Sequence, residues 1–386
     1  MTIIHTSDWH LGRPFHSIRQ DQHRHRLQRA RLEAVARIGE VAREEGAACV
    51  LVAGDLFDSP SPSQQTVAAA LGAIGALQVP VHVLPGNHDH GGPGGPWGTQ
   101  HFRRERDRLA PNLVVHETGA PVEVEGVILL PAPLVRRHEI VDPTRWVKEA
   151  SLENFPPGLP RVLLAHGSTT SFSGTSDPDD ALPGEPNLID LQRLPMEAID
   201  YVALGDWHGL RKVGEKAWYS GTPEPDRMPK GADYVTGKVL VVRPQRGKPP
   251  QVKEAHTGVT KWRDASLTVT TDGELDDLLH EVESLTRGRV GEDVLRITVT
   301  GSLGLSARTA LEERLGDLEA RLLQLDLILD GLHVQPTDQE LIDLAERPDD
   351  PMLAVVATAL LQKLDGEEAA EASLALQRLH AYVMEA

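Results

Sequence analysis

Residues 3–13 read IIHTSDWHLGR, a short apolar run that stops at a polar tip. Ile3 and Ile4 lead in as a strand, and Asp8 and His10 then stand two residues apart. In an extended chain residues i and i+2 face the same side, so both side chains can reach one metal ion while Trp9 turns away. The arrangement returns at residues 203–212, ALGDWHGLRK, where Asp206 and His208 flank Trp207. Three further apolar runs end at residues of the same narrow kind: Gly54-Asp55, Gly86-Asn87-His88-Asp89 and His166-Gly167. Ligands of α/β sheets collect at strand ends, so these five loops are expected to converge on one site.

The surrounding pattern supports such a sheet. TIIHTS, ACVLVAG, PVHVLPG, LVVHE, VILLPA, RVLLAHG, YVALGD and KVLVV read as strands, with a long helical stretch from about Gln20 to Glu45 after the first. Residues 243–262, RPQRGKPPQVKEAHTGVTKW, are rich in Pro, Gly and charge and read as a linker, which closes a first domain at 1–245. Beyond it, SLTVTT, DVLRITVT and LDLILDGLHV alternate as strands around helical patterns at Glu274–Leu285 and Ala307–Leu323. That order predicts a small α+β capping domain of ferredoxin-like type over 263–340. Pro351–Leu364 and Glu367–Met384 read as amphipathic helices, making 341–386 a candidate docking region for a partner.

Composition sets bounds. A chain of 386 residues exceeds what one hydrophobic core normally organises. No apolar run approaches the roughly 18 residues of a spanning helix, and the N-terminus lacks a signal-peptide pattern, so no membrane role and a cytoplasmic location are expected. The one cysteine, Cys49, lies within the apolar AACVLV and reads as a buried, inert thiol. The net charge of -18 argues against a protein that coats nucleic acid by bulk attraction. Residues 1–245 carry only -5 of it, however, which leaves room for a local basic face there.

Carboxylate, imidazole and amide oxygen together suit Mn²⁺ best, with Fe²⁺, Zn²⁺ or Mg²⁺ as alternatives, and the lack of thiolate ligands argues against a structural zinc. Asp55 can bridge two ions, one per oxygen. Two divalent ions about 3.5–4 Å apart would hold the attacking and leaving oxygens of a displacement at phosphorus.

The ordered set D-x-H, GDLFD, GNHD, AHG and GDWH, each behind an apolar strand, resembles the calcineurin-like metallophosphoesterases. IIHTSDWHLGR, VLVAGDLFDSPSPS and YSGTPEPDRM (219–228) are similar to stretches of the SbcD family of DNA repair nucleases. This resemblance implies a metallophosphoesterase sandwich, two mixed sheets flanked by helices, with two bound ions. It places Asp8, His10, Asp55 and His208 around one ion, and Asp55, Asn87, His166 and residue 206 around the other. It makes His88 the acid that protonates the leaving oxygen, held by Asp89 or by neighbouring backbone. The family usually carries His-x-His where this chain has Asp206-Trp207-His208. Asp206 then ligates directly, or through water, or the second ion is lost. The resemblance also implies DNA as substrate and an SbcC-like coiled-coil ABC ATPase as partner, with Met352–Leu364 as a candidate face; a homodimer is a further candidate.

Basic residues near these loops are candidates for substrate phosphates: Arg13 after the first loop, Arg103 and Arg104 in HFRRERDRL, and Arg137. The equally open alternative is a set of solvated helix faces. The polar stretch 167–187 reads as a lid or specificity loop or as disorder, and Trp207 as packing beneath the metal loop. The leading expectation is therefore a dinuclear phosphodiesterase that cleaves DNA. The alternatives are a phosphoesterase for a small cyclic nucleotide or monoester, and a weakly active scaffold for an ABC-type ATPase.

Overall fold

The computed structural model describes every residue except 171–185, 232, 287, 335–339, 341–349, 365, 367 and 386. The centre of the polar stretch read as a lid, and the start of the C-terminal docking region, lie outside the described residues.

Four strands that the sequence marked as apolar runs, β1 (Ile3–Thr6), β2 (Cys49–Val52), β3 (Val81–Val83) and β4 (Leu113–Val115), lie side by side and parallel. The second sheet has the order β5-β6-β7-β8-β10-β9, from β5 (Val122–Val124), β6 (Val127–Ala132), β7 (Arg161–His166), β8 (Tyr201–Gly205), β9 (Arg211–Lys212) and β10 (Ala217–Tyr219). Its four central strands are parallel and its edge strands antiparallel. Both sheets are thus mixed, because β11 (Lys238–Gln245) joins β1 antiparallel in the first.

Burial on both faces explains why these strands are continuous apolar runs rather than alternating ones. Ile3, Cys49 and Leu51 meet Leu129, Val162, Leu164 and Ala203 between the sheets. On the other face of the first sheet, Ile4, Val50 and Val52 pack against Val35 and Ile38 of α1 (Asp21–Glu44) and Leu71 and Ile74 of α2 (Gln64–Ala76). Cys49 is fully buried, and burial pushes its thiol up to about 12, as expected of an inert core cysteine. A third helix, α3 (Gln100–Leu109), starts at Thr99, whose hydroxyl accepts from the Phe102 amide.

The stretch read as a linker is instead a β-hairpin. β12 (Lys248–His256) pairs antiparallel with β11 through the turn at Gly247 and forms the sheet's edge. An edge strand with most side chains in water tolerates Pro249, Pro250 and a run of charge, and that composition imitates a linker. The first compact unit accordingly runs to Thr260.

The second unit, Lys261–Ala386, contains β13 (Lys261–Val269), α4 (Leu275–Thr286), β14 (Asp293–Leu303), α5 (Leu305–Glu319), β15 (Gln324–Ile328) and β16 (Leu332–Val334). Every pairing in its sheet is parallel, with β14 central. This departs from the ferredoxin-like arrangement, whose sheet is antiparallel. Here α4 and α5 each return the chain to the end from which the previous strand began, and no hairpin reverses it. Two terminal helices follow, α6 (Pro351–Leu361) and α7 (Ala369–Glu385), with Ala357 and Leu376 packed on Leu305. No helix among the described residues is long and apolar enough to cross a membrane.

Candidate metal centre

The five polar loops leave the C-terminal ends of β1, β2, β3, β7 and β8, and the structure brings them together. The Asp206 amide donates to both carboxylate oxygens of Asp8, at 3.1 and 3.3 Å, which ties a loop of one sheet to a loop of the other. His166 Nδ1 lies 2.8 Å from the Ala53 carbonyl at the end of β2, a second such tie.

Three groups of donor atoms are close enough to share an ion: Asp8, His10 and His208; His10, Asp55 and His88; and Asp8, Asp55 and His166. His10 Nε2 and His208 Nε2 are 3.1 Å apart. Asp55 Oδ2 lies 3.6 Å from His10 Nε2 and 3.4 Å from His166 Nε2. Two donors held at about 2.1 Å from one ion stand roughly 3.0–3.5 Å apart, so these separations fit a metal. His166 Nε2 also faces Asn87 Oδ1 at 2.7 Å and Asp206 Oδ1 at 3.8 Å. The same Asp55 oxygen, Oδ2, faces both sides of the centre. Oδ1 accepts from the His88 amide at 2.9 Å.

The donors converge by a route other than the extended pleat read from the sequence. Asp8, His10, Asp55 and Asp206 all have positive φ, at 54°, 41°, 54° and 103°. Such left-handed backbone is uncommon outside glycine and stores strain, which the surrounding hydrogen bonds must hold in place. Trp9 is turned into the core, as expected, and its indole donates to Thr6 Oγ1. Trp207 packs edge-on against Tyr234, in keeping with a supporting role. The motif glycines answer to close approach: a Cβ at Gly54 would run into the His166 ring, and one at Gly86 into the Asp55 carboxylate.

Behind the donors stands a set of residues that sequence reasoning missed. His10 Nδ1 lies 3.1 Å from Asp58, and His208 Nδ1 lies 2.9 Å from Asp226. Each carboxylate stands close to Nδ1 on the side of the ring away from the centre, where its charge favours the tautomer that leaves Nε2 facing the centre. The two Nε2 atoms stand 3.1 Å apart, a spacing that a shared ion would fit. Arg13 links the two supports, 3.2 Å from Asp58 and 3.7 Å from Asp226, and so enters the centre through its ligands' partners. Arg31 is buried on α1 and donates to the carbonyls of Trp9 and Asp8, at 2.5 and 2.9 Å, clamping the first loop. Its signal was a guanidinium set in the apolar face formed by Leu27, Ala30, Ala34 and Ile38.

Electrostatics follow from burial and crowding. Burial lowers His10 to about 4 and His208 to about 3, so both rings are neutral at neutral pH. Burial pushes Asp8 up to about 7. Burial would raise Asp55 too, but the charges of His166 and His88 outweigh it and hold Asp55 below the usual carboxylate range. Burial opposes the charge on His166, yet Asp55, Asp8 and Asp206 raise it well above an ordinary histidine.

The remaining expected residues divide. His88 Nδ1 rests 2.9 Å from the Asp58 carbonyl, so neighbouring backbone holds the ring, which packs edge-on to His10 at 4.7 Å between centroids. Asp89 is corrected from its expected catalytic part: its oxygens accept from the Gly86 and Phe57 amides at 2.8 and 3.0 Å and brace two metal loops. Arg103 and Arg104 stand on the exposed face of α3, Arg104 beside Glu105, and Arg137 is exposed beyond β6. A further grouping, Cys49, His82 and Glu125, lies apart, with His82 held between Glu125 at 2.6 Å and His116 at 3.0 Å.

Residues 1–210 match the calcineurin-like phosphoesterase family. The chain belongs to that family, and with it to the metal-dependent hydrolases, which use divalent ions of the kind these donors fit. It is 25% identical over 351 residues to the SbcD component of the SbcCD nuclease of Escherichia coli K12, covering 74% of this chain and 82% of that protein. The same figures hold for its counterpart in Escherichia coli O157:H7. The crystal structure of TT1561 of Thermus thermophilus aligns over 66% of this chain and 98% of its own, at 14% identity and a TM-score of 0.39.

Proposed function

We propose that this protein is an SbcD-like DNA nuclease, a phosphodiesterase working with two divalent ions, manganese first among them. The observation that carries the reading is the single Asp55 oxygen facing His10 on one side and His166 on the other. One set of ligands is Asp8, His10, Asp55 and His208, and the other is Asp55, Asn87, His166 and Asp206. When bound, the ions acidify a water for attack on phosphorus and neutralise the phosphate.

The chain's own residues do the rest. Asp58 and Asp226 hold the histidine tautomers, and Arg31 fixes the loop that presents Asp8. His88, with Nδ1 held by a carbonyl, turns Nε2 towards substrate and donates its proton to the leaving oxygen. Asp206 is read as a direct ligand, since Oδ1 faces His166 while Oδ2 accepts from Ser168 Oγ at 2.9 Å. Support for DNA as substrate comes from the similarity to the SbcCD nuclease; the same similarity makes a coiled-coil ABC ATPase the proposed partner of the C-terminal region. A stretch of α6 with Met352 78% and Val355 69% exposed suits such docking.

The test is a manganese-dependent assay on labelled linear and hairpin DNA beside a chromogenic phosphate bis-ester. DNA cleavage abolished by Asp55→Asn is expected. Brisk bis-ester turnover without DNA cleavage would replace this reading with a small-substrate phosphoesterase, and loss of both with a scaffold.

A further inference from the structure

The two loops that continue from the GDLFD and GNHD motifs do not close over the centre but part to form a cleft of about 810 Å³. Pro60 and Pro62 line one side, two and four residues beyond Asp58. Pro96, Gly98 and His101 line the other, with Gln64 at the rim. Asp58 carries the carbonyl that holds His88, and the cleft begins again at Gly91, three residues past His88. Three residues of chain span no more than about 10 Å, so this end of the cleft lies within that distance of His88.

Its chemistry is distinctive among the surfaces around the centre. No carboxylate, ammonium or guanidinium lines it among the described residues, so it is not built to hold a phosphate. Proline rings and glycine backbone give rigid, uncharged walls against which a planar group can pack. His101 also lines it, with an Nε2 that is buried and has no hydrogen-bond partner among the described residues. Resting on the nuclease reading above, we infer that this cleft is a subsite for the nucleobase of the nucleotide whose sugar oxygen leaves at His88. Packing of its face against the prolines holds the base without regard to its identity, and Gln64 can meet the polar edge it presents. The subsite positions the leaving oxygen against the acid, which the metal ligands alone do not do.

Gly98 provides a plug. A Cβ there meets nothing within 4 Å, and its φ lies outside the left-handed region, so Gly98→Phe adds a ring at the cleft wall without straining the backbone. The experiment measures manganese-dependent cleavage of an oligonucleotide series in which an abasic tetrahydrofuran replaces one nucleotide at a time on either side of the cut. The wild type is expected to lose about tenfold in kcat/KM when the base on the leaving side is removed, a loss of the size stacking provides. Gly98→Phe is expected to cleave the intact strand about as slowly as the wild type cleaves the abasic one, and to be indifferent to the lesion. A wild type indifferent to every abasic position, or a Gly98→Phe enzyme that keeps the preference, overturns the subsite and leaves the nuclease reading standing. The abasic scan on the wild type decides even if the variant folds poorly. Absence of any DNA cleavage would remove both readings together.

Discussion

Asp226→Asn isolates what the support behind a ligand contributes. Asp226 is fully buried, lies 2.9 Å from His208 Nδ1, and is flanked by Arg227 at 3.2 Å and Arg13 at 3.7 Å. Burial opposes its charge, but Arg227, His208 and Arg13 hold it ionised, well below the usual carboxylate range. The effect on metal binding does not run through the charge of His208. Burial keeps that ring neutral, at about 3, and removing a carboxylate that raises it would lower it further. It runs through the tautomer. The Asp226 charge beside Nδ1 favours the tautomer that leaves Nε2 free to ligate; with an amide, whose NH₂ can face the ring as readily as its oxygen, the other tautomer becomes accessible. Loss of such a support lowers metal affinity about 10- to 100-fold, or roughly 1.4–2.7 kcal/mol. Titration of manganese followed by calorimetry, with a circular dichroism melt to confirm the fold, measures it directly. Excess metal should restore most of kcat, because no group that touches substrate has changed. An intact Asp226→Asn protein that binds manganese with wild-type affinity would refute the assignment of His208 as a ligand held by Asp226.

Other outcomes follow from the same geometry. Asp206→Ala is expected to lower bound manganese from two ions per chain to one at limiting metal, by elemental analysis; two ions retained would exclude direct ligation by Asp206. Gly54→Ala, which sets a methyl into the His166 ring, should abolish metal binding, whereas Gly46→Ala, at φ 58° in open space, should cost only about 1–2 kcal/mol of strain in a denaturant melt. Equal effects would remove close approach as the reason for Gly54. His5, buried between Tyr201 Oη and the Leu204 carbonyl, is lowered by burial to about 3. As pH falls below about 6.5 the unfolded chain takes up a proton that the folded one refuses, so His5 removes about 1.4 kcal/mol of stability per pH unit in that window. His5→Gln should therefore show a shallower loss of urea stability between pH 6.5 and 5, by about 2 kcal/mol, and parallel curves would count against a neutral buried His5.

Which parts of this centre were open to a reader of the sequence depends on what each residue touches. A metal ligand at a strand end announces itself, because an apolar run in a parallel sheet is buried on both faces and an abrupt Asp, Asn or His at its tip has few other uses. Asp8, His10, Asp55, Asn87, His166 and His208 could be picked out on that ground, and the structure gathers them. Asp58 and Asp226 touch only other side chains. Nothing local separates Asp58 from any polar residue after a GD turn, and its relation to His10 exists only once β1 and β2 are neighbours. Asp89 misled for the converse reason, since adjacency to His88 in sequence suggested a partnership, whereas its oxygens turn to the Gly86 and Phe57 amides. Strand direction is hidden in the same way. The pattern at 263–334 fixes which segments are strands and helices, but parallel and antiparallel sheets share a period of two, and only the connections decide between them. Residues that hold ligands, and strands that choose neighbours, are set by contacts far apart in the chain. Asp206 lies between the two kinds. Its position in the motif is legible, its φ of 103° and its amide bond to Asp8 are not, and that bond gives residue 206 a structural duty whichever side chain it carries. The backbone anchors the loop, which frees the side chain at 206 from that task.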